Sequence, residues 1–317
     1  LAPYAHVIDQ GPFRKQLILE TVEKAGYQMT DFDAVCGRGG LLRHIPSGTY
    51  AVSDQAIADV LDPPYGEHAS NLGVLLAREL GDMAGIPSFF VDPVCVDEMT
   101  PVAHVTGFKG MERESFFHAL NQKSIARKAA KLLGKTYEEA RLIVIHMGGG
   151  VSVAAHENGL AVDDFNVKDE GAFGMDRAGS LPVNAMINLC FSGLTKQEVK
   201  KLLGSEAGAY SYVGTKDFRE VERRAFEEND PDCRMVFDAM AYQLAKDIGA
   251  MAAVLKFQVD AIVYTGGMAY SDRFTQAITD YVGNLAPVLR LPGEEEMRSL
   301  AEGALRVLHG EQAKVYP

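Results

Sequence analysis

Three consecutive glycines stand between two apolar runs in the segment 141–159, which reads RLIVIHMGGGVSVAAHENG. The β-branched residues before the glycines and the alternating residues after them predict two strands. The pair Asn158-Gly159 is a hairpin signal, and a third strand follows it. The glycines at 148–150 then have two interpretations, a tight hairpin or a loop whose N–H groups closely approach a phosphate. The loop alone does not decide between them.

Two arginines in glycine-rich loops are a second candidate feature. Arg38 stands in CGRGGLLR, and Arg177 stands in MDRAGSLP. A guanidinium group offers a planar fork of donors to a carboxylate or a phosphate, and neighbouring glycines clear space for such a ligand. A solvated loop arginine is the alternative for each residue taken singly. Together with the glycine turns at 148–150 and 266–267, the two arginines favour an anion site.

Four further polar residues have both a chemical and a structural interpretation. Asp92 directly follows PSFFV, at the carboxyl end of a strand where α/β sheets gather ligands, and fits either a Mg²⁺- or arginine-positioning carboxylate or a turn cap. His68 fits a donor to a phosphoryl oxygen or a helix cap, whereas His146 alone is more typical of a core histidine. Glu295 lies in a run of three glutamates that stabilises a helix N-terminus or supports a metal.

Composition excludes several classes of function. The chain has 317 residues, of which 47% are hydrophobic and 23% charged, as in a globular protein of one or two domains. Its net charge of -12 argues against nucleic acid or an anionic membrane as a partner. Cys36, Cys95, Cys190 and Cys233 are scattered, which predicts reduced, packed thiols in a cytoplasmic protein. No Walker loop and no serine-hydrolase elbow is present in the sequence.

Periodicity predicts the elements that must position these residues. The predicted helices include 13–25, 54–61, 113–133, 232–257 and 294–308. Because charged residues interrupt the apolar stretch 235–257, it is a buried helix rather than a membrane span. The predicted strands include 34–36, 48–52, 88–91, 142–145, 151–155, 160–165 and 286–291. Three consecutive strands followed by helix–strand alternation predict an α/β protein with a mixed sheet flanked by helices.

Longer motifs between about Ile8 and about Gly310 carry a family resemblance. They include GRGGLLR, YGEHASNLG, FFHALNQKSIARKAA, IVIHMGGGVSVAAHENG, YTGGMAYSDRF and LPGEEEMRSLAEGALRVLHG. Together they closely resemble the butyrate kinase family, which belongs with acetate kinase to the actin, hexokinase and heat-shock ATPase group. The resemblance implies a two-domain actin-like ATPase (ribonuclease H-like) fold. It further implies an acyl-substrate domain at 1–112 plus 298–317 and a nucleotide-binding domain at 113–297.

The resemblance also implies a reaction and a set of site residues. The reaction is reversible, ATP-dependent phosphorylation of a short-chain fatty acid such as butyrate, with Mg²⁺, in a homodimer or larger homo-oligomer. The residues matched to the nucleotide are Gly148, Gly149 and Gly150 at the phosphates, Gly266 and Gly267 near the adenosine and α-phosphate, and Asp217, Phe218 and Arg219. Those matched to the reacting groups are Arg38, Arg177, Asp92, His68 and His146, with Glu295 linked to the metal.

The largest departure from the family lies at the start of the chain. The family opens with a strand and a loop of the type N-x-G-S-[ST]-S-x-K, and no such loop precedes the matched motifs. We therefore expect residues before Leu1, and expect the first strands of domain one to be absent from this chain. Two alternatives stay open: a kinase for another short carboxylate (a branched acid, propionate or acetate), and a non-catalytic nucleotide-binding protein that lacks the first phosphate loop.

The hypothesis for the mechanism is electrostatic. A fatty acid is ionised at neutral pH and needs no general base, but its carboxylate must approach the terminal phosphate of ATP. We expect Arg38 to hold the carboxylate and Arg177 to hold the phosphoryl oxygens, with both guanidinium groups converging in a cleft. His68 and His146 add donors, and Asp92 orients the metal or an arginine.

Overall fold

The computed structural model describes Tyr4 and residues 6–317. The described residues fall into two compact units, each built around its own β-sheet. Unit 1 comprises the described residues as far as Glu98, together with Ala119–Lys123 and Glu295–Pro317. Unit 2 comprises Met99–His118 and Ser124–Glu294.

Unit 1 has a three-stranded sheet in the order β1-β3-β2. Its strands are β1 (Val35–Arg38), β2 (Thr49–Ala51) and β3 (Ser88–Val91). β1 and β3 run parallel, and β2 is antiparallel to β3, so the sheet is mixed. The helices of this unit are α1 (Gly11–Lys24), α2 (Asp54–Leu61), α3 (Leu72–Ala84) and α11 (Glu296–Leu308), and α4 (Ala119–Leu132) begins here.

Glycines set how closely two helices approach this sheet. A β-carbon on Gly37 of β1 would lie 1.9 Å from the carbonyl oxygen of Gly73 in α3, and one on Gly303 of α11 would lie 2.5 Å from Cγ2 of Val91. Successive strand residues face opposite sides of a sheet, and Arg38 pairs with Val91 in the register. Helix α3 therefore covers the face of Gly37, and α11 covers the face that Val91 shares with Arg38.

The C-terminal tail fastens the loop that follows Arg38. The Tyr316 hydroxyl donates to Oδ2 of Asp59 at 2.8 Å and accepts the backbone N–H of Arg43 at 2.9 Å. The Arg43 guanidinium binds the same carboxylate through two hydrogen bonds, of 2.7 and 3.0 Å. A bidentate pair of this kind fixes orientation as well as adding energy. The network therefore anchors the chain five residues beyond Arg38.

Unit 2 has a five-stranded sheet in the order β6-β5-β4-β7-β8. Its strands are β4 (Leu142–Met147), β5 (Val151–Glu157), β6 (Leu160–Asp164), β7 (Ala261–Thr265) and β8 (Val288–Arg290). β5 pairs antiparallel with both β4 and β6, whereas β7 pairs parallel with both β4 and β8. The sheet is therefore mixed, as predicted. Its further helices are α5 (Val183–Cys190), α6 (Lys196–Ser205), α7 (Gly208–Val213), α8 (Phe218–Phe226), α9 (Pro231–Val254) and α10 (Asp272–Val282).

Both faces of the unit 2 sheet are buried. On one face, Ile143 and Ile145 belong to the core that α9 helps to form, and on the other, Leu142 and Val144 belong to the cluster that includes Ile125 of α4. A strand buried on both faces reads as a continuous apolar run, which explains the sequence of β4. None of the helices in the described part of the chain combines the length and apolarity needed to span a bilayer.

Two local predictions had different outcomes. The Asn158-Gly159 hairpin is confirmed, with φ of 53° and 75° at the two residues. The helix predicted over 113–133 is wrong at its start, because α4 begins only at Ala119. Arg113 instead binds Asp163 at 2.8 Å and Glu170 at 2.9 Å. These ion pairs hold residues 113–118, which precede α4, in a non-helical conformation.

The four cysteines form no disulfide. Cys95 and Cys233 are buried and Cys36 is half-buried, as packed thiols should be, but Cys190 at the end of α5 is exposed. The expectation of packing is therefore wrong for Cys190. Helix α5 has no buried residue, so the helix itself supplies no core for that side chain.

A buried carboxyl group ends β6. Asp164 is 1% exposed, and its Oδ2 accepts a hydrogen bond of 2.6 Å from the Ser115 hydroxyl. Within the described residues, its Oδ1 has no hydrogen-bond partner. Burial raises the pKa of Asp164 from its ordinary 3.8 to about 8. The side chain is therefore protonated in the native protein at neutral pH and ionised in the unfolded chain.

We expect Asp164→Asn to remove a pH dependence of stability. Between about pH 4 and pH 8 the native protein holds a proton that the unfolded chain has released. The wild-type free energy of unfolding therefore falls by up to about 1.4 kcal/mol per pH unit as the pH rises through this window, and levels off above it. The variant lacks this contribution, so its free energy of unfolding should rise relative to that of the wild type as the pH increases. Urea unfolding at several pH values measures this difference.

Asp280→Asn, at an exposed carboxylate of α10, is the matched control and should keep the wild-type slope. Parallel pH profiles for Asp164→Asn and the wild type would contradict the buried proton.

Candidate functional site

An open cleft of about 920 Å³ lies within unit 2. Six of the residues predicted to contact a nucleotide line it: Gly148, Gly149, Asp217, Phe218, Arg219 and Gly267. They come from three separate chain segments, namely the β4–β5 turn, the start of α8 and the turn after β7. Its other lining residues are Met175, Lys216, Glu222, Met268, Tyr270, Ser271 and Glu294. The fold therefore gathers most of the predicted nucleotide residues of unit 2 around one opening.

The β4–β5 turn explains the three glycines without invoking unusual backbone angles. None of Gly148, Gly149 and Gly150 has a left-handed φ, so an ordinary hairpin would not require glycine here. A β-carbon on Gly148 would lie 3.0 Å from Nε2 of His146. One on Gly149 would meet nothing within 4 Å. The middle glycine therefore presents bare backbone to the cleft, which suits close approach by a ligand.

Arg177 lies against the same turn. A β-carbon on Gly150 would lie 3.0 Å from Nη1 of Arg177 and 3.0 Å from Cγ2 of Val167. The same Nη1 donates a long hydrogen bond of 3.5 Å to the carbonyl oxygen of Val167. Gly150 thus leaves the room that the guanidinium group occupies. The sequence prediction that Arg177 and the glycine turn share one region is consistent with this geometry.

Two histidines are stacked beneath the turn. The rings of His146 and His118 have centroids 3.8 Å apart and an interplanar angle of 15°. His118 Nδ1 lies 2.8 Å from the Ser152 hydroxyl, and His146 Nε2 lies 3.6 Å from Oε1 of Glu294. His146 is 3% exposed. Stacking on His146 adds His118 to the residues near the candidate site.

The start of α8 forms one wall of the cleft. Asp217 caps the helix by accepting the backbone N–H of Arg219, and it also binds the Arg219 guanidinium at 2.7 and 3.0 Å. These hydrogen bonds lower the pKa of Asp217. Phe218 turns inward and packs on Phe274 with ring centroids 4.8 Å apart. Arg219 itself is 89% exposed, so its guanidinium can exchange Asp217 for a ligand.

The two glycines after β7 have different tasks. Gly266 has φ of 85°, and a β-carbon there would lie 2.4 Å from the carbonyl oxygen of Met147. It is therefore required for packing against β4, and it does not line the cleft. Gly267 does line it, and a β-carbon there would meet nothing within 4 Å. Of this pair, Gly267 is the residue with bare surface facing the opening.

The predicted residues of unit 1 begin with two neighbouring strand ends. Arg38 ends β1, and Asp92 follows β3 directly, so parallel pairing puts both at one edge of the sheet. Nη1 of Arg38 lies 3.1 Å from Oε1 of Glu296, at the start of α11. Asp92 is buried, has φ of 38°, and accepts the Gly48 N–H at 2.6 Å. A left-handed aspartate is a strained conformation of the kind that gathers at functional sites.

The glycines around Arg38 do not clear space for a ligand. A β-carbon on Gly39 would lie 2.5 Å from Cβ of Pro93, and one on Gly40 would lie 2.0 Å from Oδ1 of Asn71. With Gly37 against Gly73, all three positions are filled by protein. The interpretation of CGRGG as a ligand-clearing motif is therefore wrong. The glycines are needed for packing, and Arg38 is the residue of the motif that remains a candidate for binding an anion.

His68 is fixed in one tautomer by the turn that it caps. Its Nδ1 accepts the Ser70 N–H at 3.2 Å and lies 2.7 Å from the Ser70 hydroxyl. Because a backbone N–H can only donate, the neutral imidazole carries its proton on Nε2. His68 is therefore both a cap and a potential donor, and the two interpretations of it are compatible.

The three consecutive glutamates separate. Glu294 lines the cleft of unit 2, Glu296 pairs with Arg38, and Glu295 caps α11 with φ of 44° but makes no side-chain capping bond. Glu295, the predicted metal residue, belongs to unit 1. In the described part of the chain, no group of three or more histidine, cysteine or acidic side chains is arranged to hold a metal ion. A metal here would need ligands from a bound nucleotide or from water.

Several cleft residues carried no signal in the sequence analysis. Lys216 donates to the Ser205 carbonyl oxygen at 2.5 Å and to Asp176 at 3.3 Å. Glu222 accepts a hydrogen bond from the Ser271 hydroxyl at 2.8 Å. No local pattern indicated Glu222, because its partner Ser271 lies 49 residues further along the chain.

Comparisons with known proteins agree with this arrangement. Residues 107–288, more than half of the chain, match the model of the Acetokinase family. Acetate kinase of Porphyromonas gingivalis is 22% identical with a TM-score of 0.79, over 92% of this chain and 84% of that chain. Acetate kinase of Entamoeba histolytica is 14% identical with a TM-score of 0.75, over 94% and 84%. A propionate kinase of Francisella tularensis subsp. tularensis SCHU S4 is 19% identical with a TM-score of 0.70, over 84% and 78%.

At these identities the similarity to solved structures is evidence about the fold. It confirms the predicted actin-like ATPase class with mixed sheets flanked by helices. The match to the family model is evidence of family membership. Because it matches more than half of its residues, this chain belongs to the Acetokinase family of carboxylate kinases.

Proposed function

We propose that this protein is a butyrate kinase, which transfers the terminal phosphoryl group of ATP directly to a short-chain fatty acid and reverses the reaction with ADP. The observation that carries the proposal is the cleft of unit 2, where a side-chain-free turn at Gly149 adjoins Arg177 and the α8 wall. Backbone N–H groups and a guanidinium group suit the phosphates of a nucleotide. Acetate and propionate are the alternative acceptors, because related folds occur in kinases named for them.

In this proposal, unit 2 binds the nucleotide. The turn of Gly148, Gly149 and Gly150 faces the phosphates, and Gly267 leaves room for the nucleoside side of the molecule. Asp217, Phe218 and Arg219 form the wall beside it, and Gly266 supports the turn by packing on β4. These roles assign the nucleotide-binding domain to residues 113–297. The acyl-substrate domain is then 1–112 plus 298–317, and a homodimer or larger homo-oligomer in the cytoplasm belongs to the same proposal.

The reaction needs positive charge more than it needs a base. Arg38 holds the carboxylate of the fatty acid, and Arg177 holds the oxygens of the transferring phosphoryl group. His68 donates from Nε2 to a phosphoryl oxygen. Asp92 holds the loop at Gly48 and orients the metal or an arginine. These arginines neutralise anions that would otherwise repel each other.

His146 adjoins the glycine turn, where a β-carbon on Gly148 would lie 3.0 Å from its Nε2. Its ring is stacked on His118 at 3.8 Å, so two positive charges at this distance would repel each other. The carboxylate oxygen Oε1 of Glu294 lies 3.6 Å from Nε2 of His146. We infer that the His146 ring faces the phosphates.

Mg²⁺ fits the acidic residues at this end of the cleft. Glu294 lies beside Gly148, and a carboxylate is tolerated next to bound phosphates when a cation lies between them. Glu294 would support the ion from unit 2, and Glu295 and Asp92, which belong to unit 1, keep their predicted metal roles as part of the proposal. When bound, Mg²⁺ supplies charge neutralisation at the β- and γ-phosphates.

Replacement of either arginine should abolish most of the turnover. Arg177→Ala and Arg38→Ala should each lower kcat/KM by on the order of a thousandfold, because each removes a charge that faces the transition state. Butyryl phosphate formation, trapped as the hydroxamate, measures the effect. Arg223→Ala, at an exposed arginine that pairs with Glu228, is the control and should be near wild type. Near-normal turnover in Arg177→Ala or Arg38→Ala would refute the assigned roles.

Gly149→Ala separates the phosphate loop from an ordinary hairpin. The new β-carbon would meet no protein atom within 4 Å, so the melting temperature should stay unchanged. If phosphates approach the backbone there, affinity for Mg·ATP should fall by on the order of tenfold or more. Calorimetric titration with Mg·ATP measures this, with Gly107→Ala as a second glycine whose β-carbon also meets nothing within 4 Å. Equal affinity in Gly149→Ala and the wild type would favour the hairpin interpretation.

The length of the fatty acid is tested with a series of carboxylates. We expect kcat/KM to be highest for butyrate, and lower for propionate by roughly tenfold and for acetate by more, since each methylene in an apolar pocket is worth about 1–3 kcal/mol. Initial rates of acyl hydroxamate formation measure the order. A maximum at acetate or propionate would assign the enzyme to that acid instead.

A further inference from the structure

Glu222 is a carboxylate in the cleft that the proposed reaction does not use. It lies in α8, one turn after Phe218, and its side chain is 22% exposed. Asp217 and Glu294 also line this cleft, but Asp217 is paired with Arg219 and Glu294 lies beside Gly148, so the Glu222 carboxylate needs a separate explanation.

The orientation of Glu222 is fixed by Ser271. The Ser271 hydroxyl oxygen accepts the Phe274 N–H at 3.0 Å as the N-cap of α10, and its hydroxyl donates to Oε1 of Glu222 at 2.8 Å. Nη1 of Arg273 is 3.9 Å from the same Oε1, and its guanidinium stacks on Phe226. Throughout the described residues, Oε2 of Glu222 has no hydrogen-bond partner. Oε2 is therefore the acceptor that remains for a ligand.

The chemistry of that ligand follows from charge and neighbours. An unscreened carboxylate repels phosphate, so Glu222 must face the uncharged half of a nucleotide. Phe218, Met175 and Met268 line the same cleft, and such apolar side chains suit a base. The hydrogen-bond donors of an adenine nucleoside are the exocyclic amine and the ribose hydroxyls.

We propose that Glu222 is a specificity-determining residue, whose Oε2 accepts a hydrogen bond from the exocyclic amine of adenine or from a ribose hydroxyl. The inference depends on the nucleotide site proposed above. If the donor is the amine, a 6-oxo purine is rejected, because its carbonyl oxygen would face the carboxylate and leave both groups without a proton between them.

Glu222→Gln tests the assignment by exchanging an acceptor for a donor. The Ser271 hydroxyl should keep the amide oxygen in the place of Oε1, so that the NH₂ group faces the cleft. Calorimetric titration with Mg²⁺ complexes of ATP, ITP and 2′-deoxy-ATP measures the affinities. We expect the wild type to prefer ATP over ITP by about tenfold or more, and the variant to lose or invert that preference.

The outcomes separate the two donors. A change in the ATP-to-ITP ratio assigns the donor to the amine, whereas a change confined to the ATP-to-2′-deoxy-ATP ratio assigns it to the ribose. Glu227→Gln, at an exposed carboxylate that ends the same helix, should keep both wild-type ratios. If both ratios are also unchanged in a folded Glu222→Gln protein, the inference is overturned while the proposed function stands. If the wild type binds none of the three nucleotides, the proposed function fails first.

Discussion

The absence of side chains at the β4–β5 turn is the constraint around which the cleft of unit 2 is organised. Its three glycines are required for three different reasons. Gly148 leaves space for the ring of His146, Gly150 leaves space for the guanidinium of Arg177, and at Gly149 an added β-carbon would meet no protein atom within 4 Å. The outer glycines therefore bring functional side chains close, and the central one keeps the backbone N–H groups accessible.

Three cationic groups near the candidate sites already have carboxylate partners, whereas Arg177 makes a long hydrogen bond of 3.5 Å to the Val167 carbonyl oxygen. Arg38 is paired with Glu296, Arg219 with Asp217, and Lys216 with Asp176. In a chain with a net charge of -12, such partners hold the side chains in place and screen them from one another. At these three positions an incoming anion must exchange with a carboxylate, which reduces the gain from each contact and favours ligands that present several oxygens.

The sequence predicted the fold class, most strands and the grouping of glycine and polar residues around a cleft, because these follow from hydrophobic periodicity and from turn chemistry. It failed where a local pattern had two physical causes. The glycines beside Arg38 resemble a ligand loop but are filled by Gly73, Pro93 and Asn71.

The start of α4 failed for a different reason. Residues 113–118 have helical periodicity, but the ion pairs of Arg113 with Asp163 and Glu170 override it, and those partners lie far along the chain. Glu222 was missed because only the meeting of α8 with the N-terminus of α10 gives its carboxylate a fixed direction.

The triplet Glu294, Glu295 and Glu296 shows three identical side chains with three unrelated surroundings: the cleft of unit 2, the cap of α11 and the guanidinium of Arg38. Although the three residues are of one type, each position has its own surroundings. Removing any one of the three leaves the same sequence, in which two glutamates still precede Met297 but Gly293 takes the place of Glu294. Evolution can therefore replace residues in this segment far more readily than it can change the segment's length, and chimeras joined here must preserve the count.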